Sequence, residues 1–419
     1  MQASAPRARW LSGRLPDPEN RRLVVLTGAR QTGKTTLARE LYGSLRYLNL
    51  DDLEIRSQLA SLRSASWAKT VGAAVIDEAQ KEPSVFEKVK LAYDAGDIDF
   101  SILLGSSRIL LLRQVRESLA GRAFLYDLWP LMLSELITPR GKPLPRPILD
   151  LLLRADGRID DIVLDQPEVL LGGELELRKE ALEHLLRWGG MPELLSLDDE
   201  DRRIWLRSYQ QTFLERDLAD LARLNDLEPF RALQQLAMLR TGNLLSFSEL
   251  SRDAKLSTTT VRRYLEYLDL SYQTLQLAPY STNLTSTVIK SPKLYWCDMG
   301  LLRQATMQLG AASGSLFESL VVAECHKWIS TMAVDAKLYF YRTRSGFEVD
   351  LLIATPHGIL GLEVKSRDRA SADDARGLAA IAEALGKKWL GGIVVSLDPH
   401  LRQLSPGASI WAVPAYRLF

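Results

Sequence analysis

Cysteine is scarce in this sequence: among its 419 residues only Cys297 and Cys325 carry thiols, and no CxxC pair occurs. That gives no support to a disulfide framework or a zinc site and fits a reducing compartment. Histidine is almost as rare. The four present show no ligand-like spacing, so His326 and the others read as structural or surface groups. Charge bias is missing too, since 53 basic side chains nearly cancel 52 acidic ones and confine any nucleic-acid surface to a local patch. No apolar run approaches the length of a membrane span, and the basic, Pro-containing N-terminus lacks a signal-peptide core. The expectation is a cytoplasmic protein with no membrane partner. Its composition, 46% hydrophobic and 25% charged, suits a chain that folds throughout, and its length suits two or three domains.

From Arg21 to about Leu136, the β-rich runs RLVVLTG, RYLNLDD, AAVIDEA, FSILLGS and AFLYDLWP alternate with helical patterns such as KTTLARELY and SSRILLLRQVRESLAG. Such alternation predicts a parallel sheet covered by helices. Pro139, Pro143, Pro145 and Pro147 then interrupt the chain and mark a soft boundary. Helical periodicity dominates from about Glu176 to Arg240. Two short helices follow, SFSELSRDAK and TTTVRRYLEYLDL, and then alternating apolar positions toward KLYWCD, a winged helix-turn-helix pattern. Tyr264, Tyr267 and Tyr272 read there as core packing. Beyond Ser315, the helix FESLVVAECHKWI precedes the strand candidates KLYFYRT, EVDLLIAT, GILGLEVKS and GGIVVSL, a second, smaller α/β unit.

The strand Leu23 to Thr27 runs into Gly28-Ala29-Arg30-Gln31-Thr32-Gly33-Lys34-Thr35-Thr36, a complete G-x-x-x-x-G-K-[ST] phosphate loop in its strand-loop-helix setting. Glycines allow a tight loop whose amides converge on phosphate oxygens, and the following helix aims its positive end at the same charge. Lys34 suits the β- and γ-phosphates, and the Thr35 hydroxyl suits Mg²⁺. About forty residues on, the apolar run Ala73 to Ile76 ends in Asp77-Glu78, an acidic pair that needs a cation or water to serve. Asp77 is expected in the Mg²⁺ shell, and Glu78 is expected to polarise the water attacking the γ-phosphate of ATP. Ser107, after the strand Phe100 to Gly105, either helps orient that water or is a turn residue.

The helix after Ser107 ends in Glu117-Ser118-Leu119-Ala120-Gly121-Arg122, and at this point the chain resembles an AAA+ ATPase. The resemblance makes Arg122, and next Arg116, the candidate arginine finger of a homo-oligomer; a solvated surface arginine is the alternative. Across nearly the full length, GARQTGKTTLAREL, VIDEAQ, GSS, ESLAGR, WGGMPE, TFLERDL, RSGFEVDLLI and LEVKS resemble, in order, the AAA-plus-DUF4143 ATPases. The fold implied is α/β: a P-loop AAA+ parallel sheet, a helical lid, a winged helix-turn-helix and a C-terminal restriction-endonuclease-like domain. Residues 1–138 would form the ATPase core, 139–240 the lid and connector, 241–305 the winged helix, and 306–419 the nuclease-like domain.

The C-terminal segments also resemble the PD-(D/E)xK nuclease fold, with Glu318 on a helix, Asp350 after a strand, then Glu363 and Lys365. Twelve residues between the two acids leave room for a hairpin, and Glu363 and Lys365 alternate onto one face. Two carboxylates there could bind a second divalent metal and the lysine could activate water, or the fold could serve only for docking or ion pairs. In the helix pair, Thr258, Thr259, Arg262 and Arg263 are candidate DNA contacts, although winged helices serve protein contacts as well. The leading expectation is a Mg²⁺-dependent ATPase coupling nucleotide state to conformational change on nucleic acid, most readily DNA. An ATP-gated, metal-dependent endonuclease and a nucleotide-dependent protein-interaction module are the alternatives.

Overall fold

The computed structural model describes residues 7–213, 227–281, 291–308, 310–343 and 347–419. Most of TFLERDL and the Arg344 to Gly346 start of RSGFEVDLLI lie outside them. Five strands build the N-terminal sheet: β1 (Arg22–Thr27), β2 (Arg46–Asn49), β3 (Ala74–Asp77), β4 (Phe100–Gly105) and β5 (Ala123–Asp127). Every pairing in it is parallel, in the order β2-β3-β4-β1-β5. The fold is therefore α/β, with β4 separating the strand of the phosphate loop from the strand of the acidic pair.

Alternation on β1 explains why this sheet is buried on both faces. Leu23 and Val25 enter one core with Ile76, Phe86 and Leu103, while Val24 and Leu26 enter the other with Leu37, Ile102 and Leu104. All four β1 side chains are fully buried, each worth roughly 1.5–3 kcal/mol over exposure. Helix α1 (Lys34–Leu41) covers the second face and helix α2 (Ser84–Asp94) the first. The helix expected from Ser107 to Gly121 is instead α3 (Arg108–Gln114) followed by one wide turn, Val115–Leu119, which ends where Gly121 takes φ 75°.

Past the proline cluster the chain is helical, through α4 (Gly172–Trp188), α5 (Asp199–Phe213) and α6 (Glu228–Met238). Then come α7 (Phe247–Asp253) and α8 (Thr258–Leu270), capped by Ser246 and Ser257. The short β6 (Asn243–Leu244) and β7 (Thr274–Pro279) both pair antiparallel with β8 (Lys293–Trp296). Helices α9 (Met299–Thr306) and α10 (Gly314–Met332) lead into β9 (Lys337–Arg342), β10 (Glu348–Thr355) and β11 (Gly358–Val364). Helix α11 (Arg376–Leu385) precedes β12 (Trp389–Ser396), β13 (Arg402–Ser405) and β14 (Ile410–Pro414). Ala278 and Pro279 on β7 reach Tyr339 and Phe340 on β9, so the strand pair after the helix-turn-helix and the C-terminal strands form one sheet. Its order among the described residues is β13-β14-β12-β11-β10-β9-β7-β8-β6. Both cysteines are buried, and among the described residues no helix is long and apolar enough to cross a membrane.

One junction ties these parts together and explains the WGGMPE segment. Asp298 caps α9 by accepting from Leu301 N at 3.1 Å, and its second oxygen accepts from Gly190 N at 2.9 Å. Gly190 O in turn accepts from Leu131 N at 2.7 Å, which joins the end of the first domain. A Cβ on Gly189 would lie 2.1 Å from the Asp298 carboxylate, and one on Gly300 would lie 1.9 Å from Trp188 O. Only glycines fit such backbone-to-backbone contact. The Gly300 neighbour is main chain and cannot swing away, so Gly300→Ala is expected to cost at least about 1–3 kcal/mol by overpacking. Thermal denaturation should show a lowered midpoint; an unchanged one would mean that the junction yields.

Candidate functional site

The phosphate loop owes its shape to positions that few residue types tolerate. Gly33, at φ 98°, caps α1, and Gln31 also sits in the left-handed region at φ 60°. Gly28 packs so closely on the chain after β5 that a Cβ would lie 2.3 Å from Leu128 O. The Lys34 amine is buried and donates to Gly28 O and Ala29 O, both at 2.8 Å, while Thr32 donates to Ala29 O. Thr36 borders the cavity beside the loop. Arg30 offers its carbonyl to the Tyr209 hydroxyl of α5 at 3.3 Å.

The acidic strand ends beside this loop. Thr35 Oγ1 donates to Asp77 Oδ2 at 2.6 Å, joining two motifs that lie 42 residues apart. Tyr47 donates to the same oxygen at 2.8 Å, and burial followed by the Asp77 hydrogen bond raises its phenol above the ordinary tyrosine range. Glu78 adopts φ 52°, a left-handed conformation uncommon outside glycine and one that gathers at functional sites. Gln80 Nε2 donates to Glu78 Oε2 at 2.6 Å, and a Cβ on Gly105 would strike Gln80 Oε1 at 2.2 Å. Gln80 therefore wedges the Glu78 carboxylate against the end of β4. Ser107 accepts from Leu110 N as the cap of α3, whereas the Ser106 hydroxyl is buried without a protein partner. Arg122 is exposed and donates to Asp94 at 2.7 Å, and Arg116 donates to Leu112 O.

A second set of contacts reaches the loop from behind. Thr27, the residue before Gly28, donates to Asp127 Oδ1 at 2.6 Å, and so does the Tyr272 hydroxyl. The two hydroxyls also touch each other. Arg108 lies 3.4 Å from Asp127 Oδ2, with its guanidinium over the Tyr272 ring. Burial, then the Asp127 charge, pushes the Tyr272 phenol well above its usual range, so it remains a donor. Tyr272 follows α8 at φ 65° and packs edge-on against Trp129. It does more than fill the core expected from its spacing.

On α8, Thr258, Thr259, Arg262 and Arg263 are all exposed. Arg262 stacks on Phe247, 3.8 Å from the ring centroid, and Arg263 lies over Tyr264.

In the C-terminal sheet, the antiparallel pairing of β10 with β11 brings Asp350 beside Glu363, and Asp350 Oδ2 accepts from Val364 N at 2.8 Å. Burial, then Glu363 and Glu318, pushes the Asp350 carboxyl up to about 8. Glu363 is raised by burial against the opposing pull of Lys365, whose amine it accepts at 2.6 Å. Glu318 on α10 accepts from Lys293 Nζ at 3.1 Å and from Tyr295 at 2.5 Å, both on β8. Lys293 also pairs with Glu348. Burial opposes the charge on Lys293, but Glu318 and Glu348 outweigh it and hold the amine above the usual lysine range.

Comparison with known proteins fits this layout. The family described as AAA domain matches residues 20–137, and a domain of unknown function, DUF4143, matches residues 313–418. The chain is an AAA-plus-DUF4143 protein. A further domain of unknown function, DUF8612, matches residues 179–312 of this AAA-plus-DUF4143 chain, from the helical segment through the helix-turn-helix. The uncharacterized proteins Rv2008c of Mycobacterium tuberculosis and Mb2031c of Mycobacterium bovis are each 28% identical over 358 residues, 82% of this chain and 70% of theirs. Among solved structures, the Walker-type ATPase PABY2304 of Pyrococcus abyssi is 18% identical, with a TM-score of 0.43 over 73% of this chain and 99% of that one. The N-terminal part of the AAA-plus-DUF4143 chain is a P-loop AAA-type ATPase domain.

Sequence reasoning passed over Gln80, Tyr47, Asp127 and Lys293. Gln80 stood within VIDEAQ; the other three carry no local signal. The buried hydroxyl set makes a testable claim. Asp127→Ala would strand Arg108 and two buried hydroxyls, at an expected cost of about 1–3 kcal/mol. In a denaturation cycle with Tyr272→Phe, coupling of about 0.5 kcal/mol or more is expected; additive effects would show that the two side chains do not interact.

Proposed function

We propose that this chain is a Mg²⁺-dependent ATPase whose nucleotide state is coupled to the helix-turn-helix unit, acting on DNA. One observation carries the first half: the 2.6 Å contact between Thr35 and Asp77, beside the Lys34 amine. A hydroxyl and a carboxylate are the hard oxygen donors that Mg²⁺ prefers, so the residues present fit the ion, and Thr35 and Asp77 would hold it. When bound, Mg²⁺ supplies neutralisation of charge on the β- and γ-phosphate oxygens.

The chain's own groups do the rest in this reading. Amides of residues 28–35 cradle the phosphates and Lys34 moves from its loop carbonyls to the γ-phosphate. Glu78, held by Gln80, accepts the proton of the attacking water. A cavity of about 280 Å³ next to Thr32, Gly33 and Thr36 is walled by Leu37, Leu131, Pro192 and Leu195, an apolar place for the base. Arg122 would serve a neighbouring subunit only by leaving Asp94.

Coupling rests on Tyr272, which follows helix α8 and contacts the residue before the phosphate loop. A change at Gly28 displaces Thr27 and Asp127, and with them the end of α8. Thr258, Thr259, Arg262 and Arg263 lie on that helix and are the proposed backbone contacts to DNA.

Glu78→Gln is expected to bind ATP with little change and hydrolyse it about 10²-fold or more slowly, the usual scale for a lost general base. Undiminished turnover would remove Glu78 from this role. Binding of labelled duplex DNA, titrated over several salt concentrations with ADP or a non-hydrolysable ATP analogue, tests the second half. Affinity should fall steeply with salt and differ between the nucleotides. Tyr272→Phe should abolish that difference and leave nucleotide binding intact. No DNA affinity in any state would contradict the nucleic-acid reading; an unchanged nucleotide effect in Tyr272→Phe would contradict the coupling route.

A further inference from the structure

The resemblance to a nuclease fold makes Glu318, Asp350 and Glu363 candidates from which two carboxylates could hold a divalent cation, and the side chains present fit that cation poorly. Among the described residues, no group of three or more His, Cys, Asp or Glu side chains is placed to hold a metal ion. Glu318 is the member that fails. Its Oε1 accepts both Lys293 Nζ at 3.1 Å and the Tyr295 hydroxyl at 2.5 Å, two donors that sit two residues apart on β8 and point the same way. The side chain of Lys293 is 4% exposed, an extent of burial that a lysine tolerates only when its charge is paired. It is paired twice, with Glu318 from α10 and Glu348 from β10. Lys365 takes one oxygen of Glu363, which leaves Glu363 Oε2 buried without a protein partner.

We infer that the ammonium of Lys293, paired with Glu318 and Glu348, is the resident cation at the Glu318 end of this carboxylate set and withholds Glu318 from a divalent metal. The C-terminal unit is then a metal-independent ion-pair lock. It fastens β8, the outer strand of the hairpin after the helix-turn-helix, to α10 and β10 by a charge that cannot diffuse away. The chemistry is distinct from that of the ATP site, and the lock stands or falls without reference to nucleotide. A lysine ammonium and a divalent ion compete here because both draw on the Glu318 carboxylate and each charge repels the other at this range. Removing the amine would free Glu318 to join Asp350 and Glu363, whose unpartnered oxygen is already available as a third donor. Hard oxygen ligands of this kind suit Mg²⁺ or Mn²⁺.

The test is Mn²⁺ binding to the full chain without nucleotide, followed by electron paramagnetic resonance, for wild type, Asp350→Asn, Lys293→Gln and Lys293→Arg. Wild type and Lys293→Arg are expected to bind no Mn²⁺ at this site up to millimolar concentration. Lys293→Gln should gain one bound Mn²⁺, which the added Asp350→Asn change should remove. Should Lys293→Gln fail to fold, the wild-type measurement still decides. One Mn²⁺ on wild type that disappears with Asp350→Asn would overturn the proposal, and so would a folded Lys293→Gln chain that binds none.

Discussion

A single hydrogen bond, Thr35 to Asp77, fixes the working end of the first domain. It can form only because β1 and β3 run parallel with β4 between them, so that the phosphate loop and the acidic pair emerge at the same edge of the sheet. The β4 strand contributes as well: its last residue, Gly105, has no side chain, and Gln80 fills that space while holding Glu78. The loop shape follows from residues at positive φ and from the close approach of Gly28 to Leu128 O.

Behind that edge the molecule is continuous. One apolar core runs from Trp129 through the helical segment and the helix-turn-helix into the C-terminal sheet. Helix α10 is the clearest link. Near its start Glu318 faces β8 and Lys293, and farther along it touches the first domain: Glu324 accepts from Leu133 N at 2.9 Å, His326 packs edge-on to Trp129, Trp328 packs edge-on to Trp10, and Ser330 accepts from the Trp129 indole at 3.0 Å. The Glu324 and Lys327 ion pair on the same helix is buried, a costly arrangement that persists because both partners are present. Tyr272 makes another link, with its hydroxyl at the root of the phosphate loop.

The parts legible in the sequence are those set by spacing along the chain. The phosphate loop, the acidic strand end, the parallel alternation, the α7 and α8 pair and the β10 to β11 hairpin all follow from patterns read along consecutive stretches of chain. What stayed hidden depends on contacts over long separations. Tyr272 meets Thr27 across 245 residues, and Glu318 meets Lys293 across a hairpin edge with no motif of its own. The WGG segment takes its reason from Asp298 and Gly300, which pack against it from 108 residues or more along the chain. Continuity of the sheet from β8 to β13 escaped as well, since a two-residue parallel pairing leaves no periodic trace. Ser107 reads in sequence as a water-orienting group or a turn residue, and the fold makes it a helix cap.

The loop from Gly28 to Thr36, with Asp77, is proposed to bind a nucleoside triphosphate with Mg²⁺. The most direct measurement is a titration of the purified chain with a fluorescent ATP analogue, with Mg²⁺ and then with chelator, for wild type and Lys34→Ala. Saturable binding that weakens without Mg²⁺ and is lost in Lys34→Ala is the predicted result. Failure of wild type to bind the analogue, or equal binding by Lys34→Ala, would contradict the account.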